Sequence, residues 1–306
     1  MLSGGLLVDK PQGITSHDLV VRIRRLSREK RCGHTGTLDP FATGVMVICL
    51  GRATRLARFV ALGAKSYLAT IRFGFATDSY DRTGKPVGPK TDRCPSAQVL
   101  ESALEGLRGS QEQFPPPFSA KKIDGKRSHR LARAGLKARP GSVRVEVKDL
   151  RLLEFSPPVA RVTVSVSSGT YIRSLAHDLG ERLGCGAHLD ELRRTRVGSF
   201  GLEEAADIDT LMKLAEGERL SERLLSPAEL LRDLPRFDLR PEAVLRLVHG
   251  REVREEVSEM PSVLPRGPVR ACDLRGTLVS VAEFEQDKRV LRPLVVLATP
   301  QEAQIP

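Results

Sequence analysis

Between Gly33 and Gly44 the chain reads Gly-His-Thr-Gly-Thr-Leu-Asp-Pro-Phe-Ala-Thr-Gly, and no other stretch constrains the fold as strongly. Pro40 steers Asp39 away from helical geometry and towards an extended backbone. The glycines at 33, 36 and 44 permit angles and close ligand approach that a Cβ would forbid. Asp39 is therefore carried on a hydroxyl-rich loop and not along a helix face. Directly after it, Val45 to Leu50 is a continuous apolar run of strand length.

Other elements follow from periodicity. Gly5 to Val8 reads as a buried strand, and Ser16 is placed to cap a helix with Leu19, Val20, Ile23 and Leu26 on one face. Thr54 to Leu62 reads as a helix. Tyr67, Ala69, Ile71 and Phe73 alternate as one face of a strand. Asp78 to Pro95 is loop-rich, and Val99, Leu100, Ala103, Leu104 and Leu107 mark an amphipathic helix. Val143, Val145 and Val147, then Val162, Val164 and Val166, suggest neighbouring half-buried strands. Ile172 to Leu183 fits a helix, and Leu189 to Phe200 returns to extended or turn structure, with Arg193, Arg194 and Arg196 adding positive charge. After Pro235 a short helix and several short strands suggest a small β-barrel.

The chain has 306 residues, enough for one large domain and a smaller one. Its 49 Lys and Arg against 38 Asp and Glu give a net charge of +11, which favours a polyanionic partner. The charge is clustered. Arg22, Arg24, Arg25, Arg28, Lys30 and Arg31 lead into the Asp39 loop as a phosphate-binding rim, and a second basic run spans Phe118 to Pro140. Five scattered cysteines with no CxxC or His-rich spacing point to free thiols in a reducing cytoplasm and to no metal site. The apolar stretch at the start is too short for a signal-peptide core or a membrane span. The expectation is a cytoplasmic protein with no membrane partner.

The Asp39 stretch resembles the signature of the pseudouridine synthases, and within them the bacterial TruB type, which isomerise uridine at position 55 in the T loop of tRNA. Leu7 to Asp18, with Lys10-Pro11 inside it, is similar to the N-terminal motif of that family, and Gly51-Arg52-Ala53-Thr54-Arg55-Leu56 to its continuation. Further similarities, in family order, are Tyr67, Gly74 through Asp81, Phe118-Ser119-Ala120 with Lys122 and Gly125-Lys126-Arg127, and Ser168-Gly169-Thr170-Tyr171-Ile172-Arg173 through His188.

The resemblance implies an α+β fold: a mixed, mainly antiparallel central sheet flanked by helices, with a thumb insertion and a small C-terminal β-barrel-like PUA domain. It implies a catalytic domain over 1–234, with the thumb at 113–140, and a PUA-like RNA-binding domain over 235–306. Asp39 would be the catalytic residue and Arg173 its counter-ion. Tyr67 would stack on a flipped uracil and offers a phenol for the C5 proton. His34, Lys10, Gly36, Thr37, Lys122, Lys126 and Arg127 would bind substrate or RNA, with Lys10 serving more as a buttress than in chemistry. Phe118 and His129 stand where thumbs of this family often carry tyrosines.

The reaction breaks N1–C1′, rotates the uracil and joins C5 to C1′ without net redox change, so no cofactor is required. Asp39 could attack C1′ or C6, or act as a base at C2′ through a glycal; sequence leaves all three open. The expected partner is tRNA, through its T stem-loop, bound by a monomer with no obligatory protein partner. Two competing readings are a guide-RNA-dependent synthase with protein partners, disfavoured by the thumb segment, and an RNA-binding module with vestigial catalysis, disfavoured by Asp39. A zinc deaminase is excluded because the chain has no HxE with PCxxC.

Overall fold

The computed structural model describes residues 2–119, 122–123, 126–127, 141–254 and 267–299. The strands, in chain order, are β1 Gly4–Lys10, β2 Cys32–His34, β3 Thr43–Leu50, β4 Lys65–Phe73, β5 Ala76–Thr77, β6 Pro86–Val87, β7 Gly109–Gln113, β8 Lys122–Ile123 and β9 Lys126–Arg127. They continue with β10 Val143–Ser156, β11 Val159–Val166, β12 Ala187–Val197, β13 Phe200–Gly201, β14 Arg236–Leu239, β15 Pro268–Asp273, β16 Leu278–Glu285 and β17 Val290–Val296.

A nine-stranded sheet runs in the order β1-β3-β12-β4-β11-β10-β7, with β2 added on β3 and β13 on β12. Its one parallel junction joins β12 to β3 through Arg193↔Thr43 and Arg194↔Gly44; its other pairings are antiparallel. This is the mixed, mainly antiparallel sheet expected from the motifs. Leu189 to Phe200, read as extended or turn, is the long central strand β12 plus β13, which places the arginine-rich stretch in the middle of the sheet.

The alternation in β4 is realised: Tyr67, Ala69, Ile71 and Phe73 are buried, and the residues between them are half-buried. Their face packs on Leu19, Val20 and Ile23 of the Ser16–Ser27 helix and on Leu175, Ala176 and Leu179 of the Ile172–Arg182 helix. The unbroken apolar run of β3 has a different cause. Met46, Ile48 and Leu50 enter that core, whereas Val45, Val47 and Cys49 enter a second one with Cys272, Leu278, Val281 and Val295 of the C-terminal sheet. A strand covered on both faces keeps no polar alternation.

The C-terminal strands form a four-stranded sheet, β14-β15-β16-β17, that does not close into a barrel among the described residues. It is tied down from across the boundary: Arg55 Nη1 donates to Val296 O at 2.7 Å and Arg52 Nη1 to Leu297 O at 3.2 Å. The helix expected from Thr54 is a 3-10 segment, Gly51–Leu56, followed by the short helix Ala57–Ala61. The helix expected to be capped by Ser16 is capped by Thr15, whose hydroxyl accepts from Asp18 N at 3.0 Å while Asp18 Oδ2 accepts from Thr15 N at 2.9 Å. Ser16 has another task, described below. His129 and most of the basic run from Phe118 to Pro140 lie outside the described residues.

Candidate active site

The Asp39 loop has no regular secondary structure, yet its main chain is held residue by residue. The hydroxyl of buried Ser16 donates to Leu38 O at 3.0 Å and accepts from Leu38 N at 2.9 Å, locking the residue before Asp39. Pro40 O, the carbonyl just after it, accepts from Gly13 N at 2.8 Å and from Lys10 Nζ at 3.4 Å. Of the three glycines, only Gly44 uses its freedom: its φ is +110°, and a Cβ there would meet the Arg194 carbonyl oxygen at 2.2 Å. Gly33 and Gly36 stay outside the left-handed region.

Lys10 was expected among the RNA-contacting residues, but the structure removes it from the surface. It is 0 % exposed, and Nζ also donates to Pro11 O and Ile14 O, each at 2.9 Å. Burial takes its pKa down to about 8, although the Asp39 charge pulls it back up. Its ammonium ties the Pro11, Ile14 and Pro40 carbonyls together. Replacing it with methionine leaves these carbonyls short of a donor, so Lys10→Met should cost about 2–4 kcal/mol of stability in denaturant melts, with tRNA affinity of the folded protein unchanged. Weakened affinity at an unchanged midpoint would return Lys10 to the RNA-binding set.

Asp39 opens into a cavity of about 320 Å³ lined also by Gly36, Thr37, Tyr67, Phe118, Tyr171, Arg173 and Arg194. Arg173, one residue into the Ile172–Arg182 helix, grips the carboxylate with Nε to Oδ2 at 2.9 Å and Nη2 to Oδ1 at 3.0 Å. Such a fork-on-fork pair fixes orientation as well as charge. The guanidinium is in turn fully engaged: Nη2 donates to Phe118 O at 3.0 Å, and Nη1 donates to Ser79 O at 3.1 Å and faces Asp81 Oδ2 at 3.3 Å. Asp81 is held by the Ser79 hydroxyl at 2.8 Å, Thr83 N at 3.0 Å and the Thr83 hydroxyl at 2.5 Å.

One cation thus serves two carboxylates. The Arg173 side chain is 6 % exposed, while Asp39 keeps 31 % of its side chain open, so a molecule in the cavity can reach it. Burial pushes the Asp39 carboxyl above its usual range; Arg173 opposes that, Asp81 adds to it and Lys10 draws it back. Tyr67, buried on β4, lines the same cavity, and burial pushes its phenol up while Arg194 opposes. Lys65 lines the cavity too; its Nζ donates to Ala61 O at 2.9 Å and Gly63 O at 3.1 Å, and burial takes it to about 8.

Asp39, Tyr67, Arg173, Gly36 and Thr37 therefore meet at one cavity, as the motifs implied. His34, at the end of β2, stands beside the lining and not in it; burial lowers its pKa, and its buried Nδ1 has no hydrogen-bond partner among the described residues. For Lys122, Lys126 and Arg127 only the backbone is described, as the β8–β9 hairpin. Sequence reasoning gave no role to Asp81, Lys65 or the buried Arg194. A period-2 reading of β12 carries the signal for the last: Arg194 shares a face with buried Leu192, away from Arg193.

Among the described residues no helix is long and apolar enough to cross a membrane, and no group of three or more His, Cys, Asp or Glu side chains could hold a metal. Residues 24–172 match the family described as TruB family pseudouridylate synthase (N terminal domain), and residues 173–232 match the tRNA pseudouridylate synthase B C-terminal domain. The chain is 42 % identical over 282 residues to tRNA pseudouridine synthase B of Solibacter usitatus, covering 92 % of this chain and 96 % of that protein. It is 50 % identical over 223 residues to the Mycobacterium avium protein of the same name, covering 71 % of each. Among solved structures, a Cbf5-Nop10-Gar1 complex contains a chain that superposes with a TM-score of 0.78 at 24 % identity, covering 99 % of this chain and 87 % of that one.

Proposed function

The chain belongs to the TruB family of pseudouridylate synthases, enzymes that isomerise uridine to pseudouridine, and from that premise we propose that the Asp39 cavity receives the uridine and performs the rearrangement. The reaction is the isomerisation at position 55 in the T loop of tRNA. The observation that carries the site assignment is the two-bond grip of Arg173 on Asp39 at the wall of a cavity that also holds Tyr67.

A uridine inside a folded loop reaches such a cavity only by leaving its stack, at a cost of a few kcal/mol. Tyr67 supplies the flat surface that replaces the lost stacking. Asp39 acts as the nucleophile or base that loosens N1–C1′, and all three routes open to it require the ionised form. Burial works against ionisation; Arg173 and Lys10 work for it. The freed uracil turns in a closed space and is recaptured through C5, so the atoms of substrate and product are the same and no cofactor takes part.

The partner is tRNA, met by a monomer without an obligatory protein partner, in the cytoplasm. Exposed Arg22, Arg24, Arg25, Arg28, Lys30 and Arg31 precede the Asp39 loop in the chain and suit the phosphates of an RNA. We assign the catalytic domain to 1–234 and the RNA-binding appendage to 235–306; the separate sheet that opens with β14 supports this division. Lys122, Lys126 and Arg127 act in gripping RNA. Neutralising all three should weaken tRNA binding and flatten its salt dependence by a slope of about 2–3, while slow turnover persists; an unchanged slope would remove the hairpin from the RNA interface.

The test of the whole reading is an unmodified tRNA transcript incubated with the protein and mapped for pseudouridine. Product at position 55 is expected. Tight binding with no product at any enzyme concentration would favour the vestigial RNA-binding module instead.

A further inference from the structure

Arg194 is a large side chain with 1 % exposure in the middle of the sheet, and it has no carboxylate partner among the described residues. It donates to main-chain carbonyls, Nε to Val45 O at 2.8 Å, Nη2 to Gly36 O at 3.3 Å and Nη1 to Thr37 O at 3.4 Å, and it hydrogen-bonds the Tyr67 side chain. Carbonyls permit the burial of this cation but leave its charge unneutralised, so a negative charge formed beside it would be favoured. The register supplies a candidate. Arg194 stands directly opposite Tyr67 in the β12–β4 pairing, where facing Cβ atoms lie roughly 4.5–5.5 Å apart, and both side chains line the Asp39 cavity.

We propose that Arg194 is a positioning residue for Tyr67: it fixes the phenol over the cavity, ties that ring to the Gly36–Thr37 main chain, and stabilises negative charge on the phenol oxygen. The inference rests on the reading that the cavity holds the uracil. Once C5 has bonded to C1′ it still carries its hydrogen. The Tyr67 oxygen, having first lost its own proton to solvent, takes that hydrogen as a proton. The C–H electron pair restores the C5–C6 double bond, the pair displaced from C6 passes to N1, which takes a proton from solvent, or to a carboxylate leaving C6, and Tyr67 leaves the step as neutral phenol.

Burial opposes that ionisation, and Arg194 favours it. Asp39 across the cavity opposes it too, while Lys65 on the same strand and Arg173 on the helix add positive charge to the same cavity, where Tyr171 is a second phenol. Arg194 is distinguished from these by facing Tyr67 across the strand pair and by having no other anion to serve. Gly44 belongs to the same device, because a Cβ there would push β3 off the Arg194 backbone.

The test replaces Arg194 with Gln and, separately, inserts a fluorinated tyrosine at position 67, whose phenol is more acidic at nearly the same size. Arg194→Gln should lower the single-turnover rate at neutral pH by about tenfold or more, with tRNA affinity nearly unchanged. The fluorinated phenol should restore part of that rate. An equal loss with either phenol, or a loss in affinity in place of rate, overturns the proposal. A parent that makes no pseudouridine would instead defeat the functional reading beneath it.

If Arg194→Gln lacks the parent's melting transition, Arg194→Lys carries the test. Comparable burial takes Lys10 and Lys65 to about 8, so this variant should lose its charge as pH rises. Its rate should then fall away from the parent's on the alkaline side. A profile parallel to the parent's overturns the proposal.

Discussion

Asp39→Ala should abolish pseudouridine formation, by about 10⁴-fold or more, and leave tRNA binding intact. The asymmetry comes from the site. The loop that carries Asp39 is held through its main chain by Ser16, Gly13, Lys10 and Arg194, none of which needs the Asp39 side chain. The mutation therefore removes chemistry without removing shape. Single-turnover assays with excess enzyme, beside filter binding, separate the two. Undiminished turnover in the alanine variant would overturn the assignment of this residue.

The same carboxylate sets the expected acid limit of activity. Burial raises its pKa above the ordinary carboxylate range. Turnover should therefore fall on acidification at a higher pH than for a solvated aspartate, because only the ionised form is competent. The linkage to stability has the opposite sense. A group whose pKa is raised on folding favours the folded state at low pH, and that contribution is lost as pH rises through the folded value. Asp39 is thus a residue that the fold tolerates at neutral pH for the sake of the reaction.

Arg173→Met should be the single change at the site most damaging to folding, and it should cut turnover as well. It removes the one cation between Asp39 and Asp81 and strips donors from the Ser79 and Phe118 carbonyls. Leaving buried charge unpaired costs about 3–5 kcal/mol. Without the cation, burial and the neighbouring Asp81 charge push the Asp39 carboxyl still higher, so the deficit in denaturant melts should shrink as pH falls and that carboxyl protonates. A variant as stable as the parent at neutral pH would mean that the pair contributes orientation and little else. Arg173→Lys retains charge but loses the fork, and should keep much of the stability with little of the rate.

Much of the architecture was legible because it is written in short-range pattern. The alternation of Tyr67, Ala69, Ile71 and Phe73, the apolar run of Val45 to Leu50 and the proline after Asp39 each report a local backbone preference, and each appears in the structure. Misplacements arose where two residues compete for one job or where burial changes a residue's meaning. Thr15 outcompetes Ser16 as the cap because Ser16 is taken up by both main-chain groups of Leu38. Leu189 to Phe200, read as extended or turn, is extended, but its arginines break the apolar pattern that marks a central strand; one of them is buried, and its bonds to main-chain carbonyls permit that.

By itself the chain determined that Asp39 would sit on a loop before a buried strand, that Tyr67 would start a half-buried strand, and that positive charge would gather around the loop. Those outcomes depend on neighbours within a few residues. Family resemblance implied that Arg173, 134 positions away, pairs with Asp39, but only the tertiary structure decided the two-bond geometry of that pair and that Asp81 shares the same cation. It also decided that Lys10 and Arg194 face inward. A lysine or arginine is the same letter whether solvated or buried. What separates the two cases is whether distant segments bring carbonyls and carboxylates within bonding distance, and strand register and helix packing set that.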